Sequence, residues 1–179
     1  GDYLAPFKTT GHPAVRLEPP ASTPDETRPK GLDRLKADAL QYLKSRPAAS
    51  LDGIFSSQVI EHFQPDYLRR VISECFRVLR PGAVLLLETI NPLSVFALSR
   101  IYFLDPTHRN PLHPEYMRYL LENSGFAAVE IIFGAEPEGE KLAAIEPGAP
   151  QAMAFNANVD RLNQLLFSHC EYAVKGIRP

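Results

Sequence analysis

The chain has 179 residues, 45% hydrophobic and 22% charged, with a net charge of −2; this is the makeup of an ordinary soluble globular domain with room for a real core. So small a charge excludes a non-specific grip on nucleic acid or on an anionic membrane, and no apolar run approaches the roughly 20 residues of a bilayer span. The start at Gly1 lacks the basic-then-apolar layout of a secretion signal. Cys75 and Cys170 fit neither a disulfide framework nor a CxxC motif, so both read as buried thiols of a reducing compartment, and a cytoplasmic, bacterial setting is expected.

In chain order, residues 13–18 form a short apolar run closed by Glu18 and then by Pro19-Pro20, the pattern of a buried strand stopped by residues that cannot extend a ladder. Residues 31–38 pass again from a turn through a strand to an acid, and Ala39–Lys44 reads as a short amphipathic helix or turn. Residues 51–56 are a strand-length run. Leu68, Val71, Ile72, Cys75, Phe76 and Leu79 then recur at spacings of three and four, which predicts a helix over 65–79 with Pro65 at its start. Arg80-Pro81-Gly82 stops that helix, and 83–87 is a continuous apolar run suited to a strand buried on both faces. Beyond it the pattern predicts a helix over about 93–102, a proline-bound loop to Pro114, a helix over 115–123 and a strand over 126–133. A loop at 134–150, a helix near 157–167 and a strand at 172–175 complete the chain. The alternation predicts one α/β domain over 1–179, a mostly parallel sheet with helices on both faces and an antiparallel element late in the chain.

Residues 52–63, DGIFSSQVIEHF, and the helix ending Val78-Leu79-Arg80-Pro81-Gly82 before an apolar strand resemble successive units of class I S-adenosylmethionine-dependent methyltransferases. Leu104-Asp105-Pro106-Thr107-His108 and Pro111-Leu112-His113-Pro114 are similar to a bacterial branch associated with glycan and surface-polysaccharide synthesis, as is the closing stretch from Arg161 to Ala173. The resemblance implies a Rossmann-like fold, S-adenosylmethionine as cofactor, and O- or N-methylation of a small or glycan-linked acceptor. In its register Gly1 is the last glycine of the cofactor loop, and Glu18 and Asp38 end the second and third strands, so the first strand is expected to be lacking. An exposed inner sheet edge and an impaired chain follow from that register, and the edge invites a homodimer. The alternatives are a catalytically inactive, methyltransferase-like binding or scaffolding module, or a whole protein in which residues 1–12 replace the first strand; Pro6 and Pro13 speak against the last.

Site roles follow from the same register, each beside a plainer one. Glu18 would hold the ribose hydroxyls, or be a solvated glutamate before a turn. Asp38 with Ala39 would meet the adenine, although Asp38 also suits a helix N-cap. Ser57 and Gln58, just past the fourth strand, would line the methionine end of the cofactor, or simply satisfy a loop. His62 of the Glu61-His62 pair is a candidate general base, or a residue that orders its loop. His108 is a second catalytic candidate and, with Asp105, Arg109 and His113, would face the acceptor; otherwise this loop is merely fixed by local bonds. Glu88 and Asn91 are weaker pocket candidates, and no nucleophile motif is present. No metal is expected: related turns that bind one carry glutamate where this chain has the neutral Gln58.

Overall fold

A computed structural model describes residues 15–18 and 33–179. The expectations placed on Gly1, on residues 1–12 and on the glycine loop fall outside them. By compactness the chain divides into two units, Gly1–Pro47 and Ala48–Pro179.

In the first unit, β1 (Val15–Glu18) and β2 (Asp33–Lys36) pair in parallel, with Glu18 opposite Lys36. Val15 remains 47% exposed, against the expected burial of this run. Helix α1 (Ala39–Lys44) follows, its first turn capped by the Asp38 carboxylate, which accepts from the Gln41 N–H at 2.9 Å.

The second unit is a four-stranded sheet in the order β3-β4-β6-β5. Strands β3 (Leu51–Ser57) and β4 (Leu79–Ile90) are parallel, while β6 (Glu171–Ile177) runs antiparallel both to β4 and to β5 (Ala127–Phe133). The antiparallel element expected late in the chain is therefore β6, and the sheet is mixed.

Helix α2 (Pro65–Val78) begins at its proline and buries most of the predicted stripe: Leu68, Val71, Ile72 and Cys75 are under 8% exposed, as is Val78, which the spacing left out, while Phe76 is only half-buried. Each fully buried aliphatic side chain contributes about 1.5–3 kcal/mol of transfer free energy. Arg80-Pro81-Gly82 ends the helix as expected, yet the strand starts at Leu79 rather than Ala83. Leu51 pairs with Leu79 and Gly53 with Val84, so the Arg-Pro-Gly turn bulges out of the ladder and Gly82 takes φ +80°.

Helix α3 (Val95–Arg100) opens at Ser94, whose hydroxyl accepts from the Ala97 N–H, and a short 3-10 turn, Tyr102–Leu104, follows. Helix α4 (Pro114–Asn123) packs on α2, β5 and β6. It stops in a Schellman motif: the Phe126 N–H reaches the Leu121 carbonyl, the Gly125 N–H reaches Glu122, and Gly125 takes φ +98°. Helix α5 (Ala152–Leu166) starts five residues before the expected 157, at a left-handed Gln151 with no side-chain cap. Cys75 is buried as expected, but Cys170 is only partly so. Among the described residues no helix is long and apolar enough to cross a membrane.

Candidate active site

Strands β3 and β4 end side by side, and β6 begins against the end of β4, where Ile90 pairs with Glu171. Polar side chains collect at that edge. The Ser57 hydroxyl donates to Glu88 Oε1 at 3.3 Å, and the Gln58 amide donates to Glu171 Oε1 at 3.4 Å. Gln58 takes φ +53°, a left-handed conformation that a residue other than glycine adopts at some cost; its N–H is held by the Glu88 carbonyl at 3.2 Å. Burial, then the charges of Glu88 and Glu61, push the Glu171 carboxyl above its ordinary value. Two carboxylates close enough for the charge of Glu88 to act on Glu171 make this edge receptive to a cation. Asn91 is spent on architecture: it donates to the His169 carbonyl and accepts from the Leu93 N–H.

A second cluster is built where the turn after β3 meets the loop after α3. The 3-10 turn Ile60–His62 is stapled to that loop through the Glu61 carbonyl, which accepts from the Arg109 N–H at 2.9 Å and the Asn110 N–H at 3.2 Å. The Asn110 side chain donates back to the Phe63 carbonyl. The staple brings the His62 and His108 rings to 4.7 Å between centroids. Asp105-Pro106-Thr107 forms an Asx turn, with the Thr107 N–H donating to Asp105 Oδ1 at 2.8 Å.

Glu61 is fully buried. One carboxylate oxygen accepts from the Thr89 hydroxyl at 2.9 Å; the other, Oε1, has no hydrogen-bond donor and stands 3.7 Å from His108 Nε2. Its charge is felt around it. Desolvation first, and Glu61 second, push the phenols of Tyr102 and Tyr172 upward. The Asp105 carboxyl is lowered, chiefly by its bonds from Thr107 and further by His108 and His62.

The tautomers follow from the partners. His108 Nδ1 lies 2.6 Å from the Tyr102 carbonyl, which can only accept, so Nδ1 carries the proton. The single hydroxyl hydrogen of Thr107 goes to Asp105 Oδ1 at 2.6 Å, so His62 Nδ1, at 3.0 Å, must donate to Thr107 Oγ1. In both rings Nδ1 is thus committed, which leaves Nε2 as the remaining ring nitrogen.

Asp105, His62 and His108 thus meet in one cluster, and Ser57 and Gln58 in the neighbouring one. Two residues expected at the acceptor also have structural employment. His113 is the N-cap of α4, its Nδ1 accepting from the Glu115 N–H at 3.1 Å, and Arg109 contributes its backbone to the staple while its side chain is exposed. Asp38 caps α1 and Ala39 is that helix's first residue, as the plainer reading had it. Glu18 ends β1 as expected. The sequence reading missed Thr89, Thr107 and Glu171; of these only Thr107 had a local signal, the Asp-Pro-Thr turn.

Residues 13–87 match the family model described as a methyltransferase domain. A probable S-adenosylmethionine-dependent methyltransferase of Mycolicibacterium smegmatis is 42% identical over 80 residues, which is 45% of this chain and 30% of that protein; the chain thus spans under a third of this curated relative. A SAM-dependent methyltransferase from Archaeoglobus fulgidus superposes with a TM-score of 0.87 at 31% identity, over 98% of this chain and 80% of that one. A SAM-dependent methyltransferase of Thermotoga maritima, described as a possible histamine N-methyltransferase, shares the fold at a TM-score of 0.66 and 18% identity, over 99% of this chain and 76% of that one.

Proposed function

This chain belongs to the S-adenosylmethionine-dependent methyltransferases, and on that premise we propose that it serves, as one domain, to move a methyl group from S-adenosylmethionine to a hydroxyl or amine of a small or glycan-linked acceptor. The likeness to the Archaeoglobus protein over nearly the whole chain carries the reading. The polar edge supplies its chemistry. Bound S-adenosylmethionine supplies an electrophilic methyl on a cationic sulfur, and the Ser57–Glu88–Glu171 edge offers oxygen acceptors and negative charge to such a group.

Ser57 and Gln58 hold the methionine end of the cofactor. Asp105, His108 and Arg109 line the acceptor side, and His113 fixes their loop from the head of α4. His62 Nε2 takes the acceptor's proton as the acceptor's lone pair bonds to the methyl carbon, and the carbon–sulfur electron pair returns to sulfur. Thr107 and Asp105 hold the His62 ring and favour the imidazolium so formed. Alignment supplies most of the rate in such a displacement, so one positioned imidazole is a sufficient base.

Calorimetric titration with S-adenosylhomocysteine and S-adenosylmethionine tests the cofactor half. Both should bind, and Glu88→Gln should weaken S-adenosylmethionine by roughly tenfold, the equivalent of about 1.4 kcal/mol. Unchanged affinity in Glu88→Gln would place the cofactor elsewhere; no binding at all would leave a methyltransferase-like binding module. Transfer of labelled methyl to hydroxyl- and amine-bearing sugars then sorts the acceptor.

A further inference from the structure

We propose that Glu61, His62 and His108 form a binding site for a divalent first-row transition cation, held through Glu61 Oε1 and the Nε2 atoms of the two imidazoles. One donor atom from each residue lies within 4.8 Å of the others. The decisive feature is the pair Glu61 Oε1 and His108 Nε2. With its Nδ1 committed to the Tyr102 carbonyl, His108 turns Nε2 toward a buried carboxylate oxygen that accepts no hydrogen bond. Oε1 and Nε2 stand 3.7 Å apart, too far for a hydrogen bond and a spacing that one bound cation can bridge. Two ligands at about 2.1 Å from one tetrahedral ion stand about 3.4 Å apart, close to that gap. His62, half-buried at the surface of the turn, completes the set by swinging inward roughly 1–1.5 Å.

The surroundings match what metal ligands require. Each histidine presents one nitrogen because its other N–H is held, His108 by a backbone carbonyl and His62 by the Thr107–Asp105 pair. The second Glu61 oxygen is fixed by Thr89. Two imidazoles and one carboxylate leave coordination positions open, and this donor set suits zinc, manganese or iron rather than calcium. The sequence expectation of no metal rested on Gln58; that side chain is turned to Glu171, and the third ligand comes from the Asp105–His108 loop instead. With the ion bound, His62 Nε2 would be a ligand and no longer a base; the ion would then activate an acceptor hydroxyl at an open position, whose proton would pass to solvent. This use of the ion rests on the reading of the site as a methyltransferase acceptor side; the binding of the ion does not.

Tag-free, chelator-stripped chain is titrated with Zn²⁺ by calorimetry and with Mn²⁺ by loss of the free-ion EPR signal. One ion per chain is expected, with at least tenfold weaker binding in Glu61→Gln and His62→Gln. Thr107→Val, at an exposed position whose side chain bonds only to His62 and Asp105, should weaken binding by roughly 10–100-fold, whereas Tyr119→Phe, exposed on α4, should not change it. Circular dichroism of each variant confirms the fold, and the exposed Thr107 change keeps the test valid should Glu61→Gln unfold. The proposal is overturned if no ion binds, or if binding persists in His62→Gln and Thr107→Val. Zinc uptake without S-adenosylhomocysteine binding would sink the methyl-transfer reading alone; the reverse result would sink the metal site alone.

Discussion

Replacing Tyr172 by phenylalanine tests how the acceptor-side loop is fastened to the sheet. Tyr172 is 1% exposed, and its hydroxyl donates to the Leu112 carbonyl at 2.8 Å, joining β6 to the residue before the α4 cap. Burial and the Glu61 charge keep the phenol protonated, so it is a permanent donor. Phenylalanine preserves the ring's packing and removes only the bond. The loss is the net hydrogen bond, about 1 kcal/mol, with a further desolvation cost for a carbonyl left unpaired, giving about 1–3 kcal/mol in all. At the entropy of unfolding usual for a unit of this size, that lowers the Tm by roughly 4–11 °C. Thermal and urea denaturation followed by circular dichroism give the number, with Tyr119→Phe as control, because Tyr119 is 59% exposed and such surface changes stay within about 0.5 kcal/mol. Amide exchange should quicken over 105–113, the segment that carries His108. Equal stability of the two variants would refute the tether.

The remaining expectations concern ionisation. Burial, and secondarily Glu74, push the Cys75 thiol up to about 12; in the native chain a disulfide reagent at pH 8 should therefore titrate Cys170 alone, and both thiols only in denaturant. Two rapidly reacting native thiols would contradict the packing of α2. For Glu171 the folded-state value lies above the unfolded one, so its contribution to stability is fully present below the ordinary glutamate range and is lost as pH rises through the folded value. Glu171→Gln should then raise the Tm relative to the parent at pH 7.5, with the difference vanishing near pH 4; a lower Tm at pH 7.5 would show that the carboxylate is stabilised as an anion.

What could be read from the sequence was what a short window holds. The α2 stripe and Pro65 fix that helix locally, and Gly125 announces the end of α4 because the chain must turn left-handed there. Strand β4 was expected to begin four residues late, since Arg-Pro-Gly reads as a stop whether the chain leaves the sheet or bulges within it. The start of α5 was missed because Gln151 offers no capping side chain. At the site, His62, Asp105 and His108 carry chemistry that marks them anywhere. Their partners do not: Thr89 meets Glu61 from 28 residues away and Thr107 meets His62 from 45, separations that leave no periodic trace. The capping role of His113 shows only once the α4 helix is built.

The position of β6 has a consequence for how the protein is made. It lies between β4 and β5, so β5, completed at Phe133, finds no ladder neighbour until residues 171–177 emerge from the ribosome. Until then the nascent chain carries β4 with one bare edge and β5 with two, a state that invites pairing with other chains or capture by chaperones. Slow codons or a pause between 134 and 170 should therefore lower the yield of folded protein far more than a pause after Ile177.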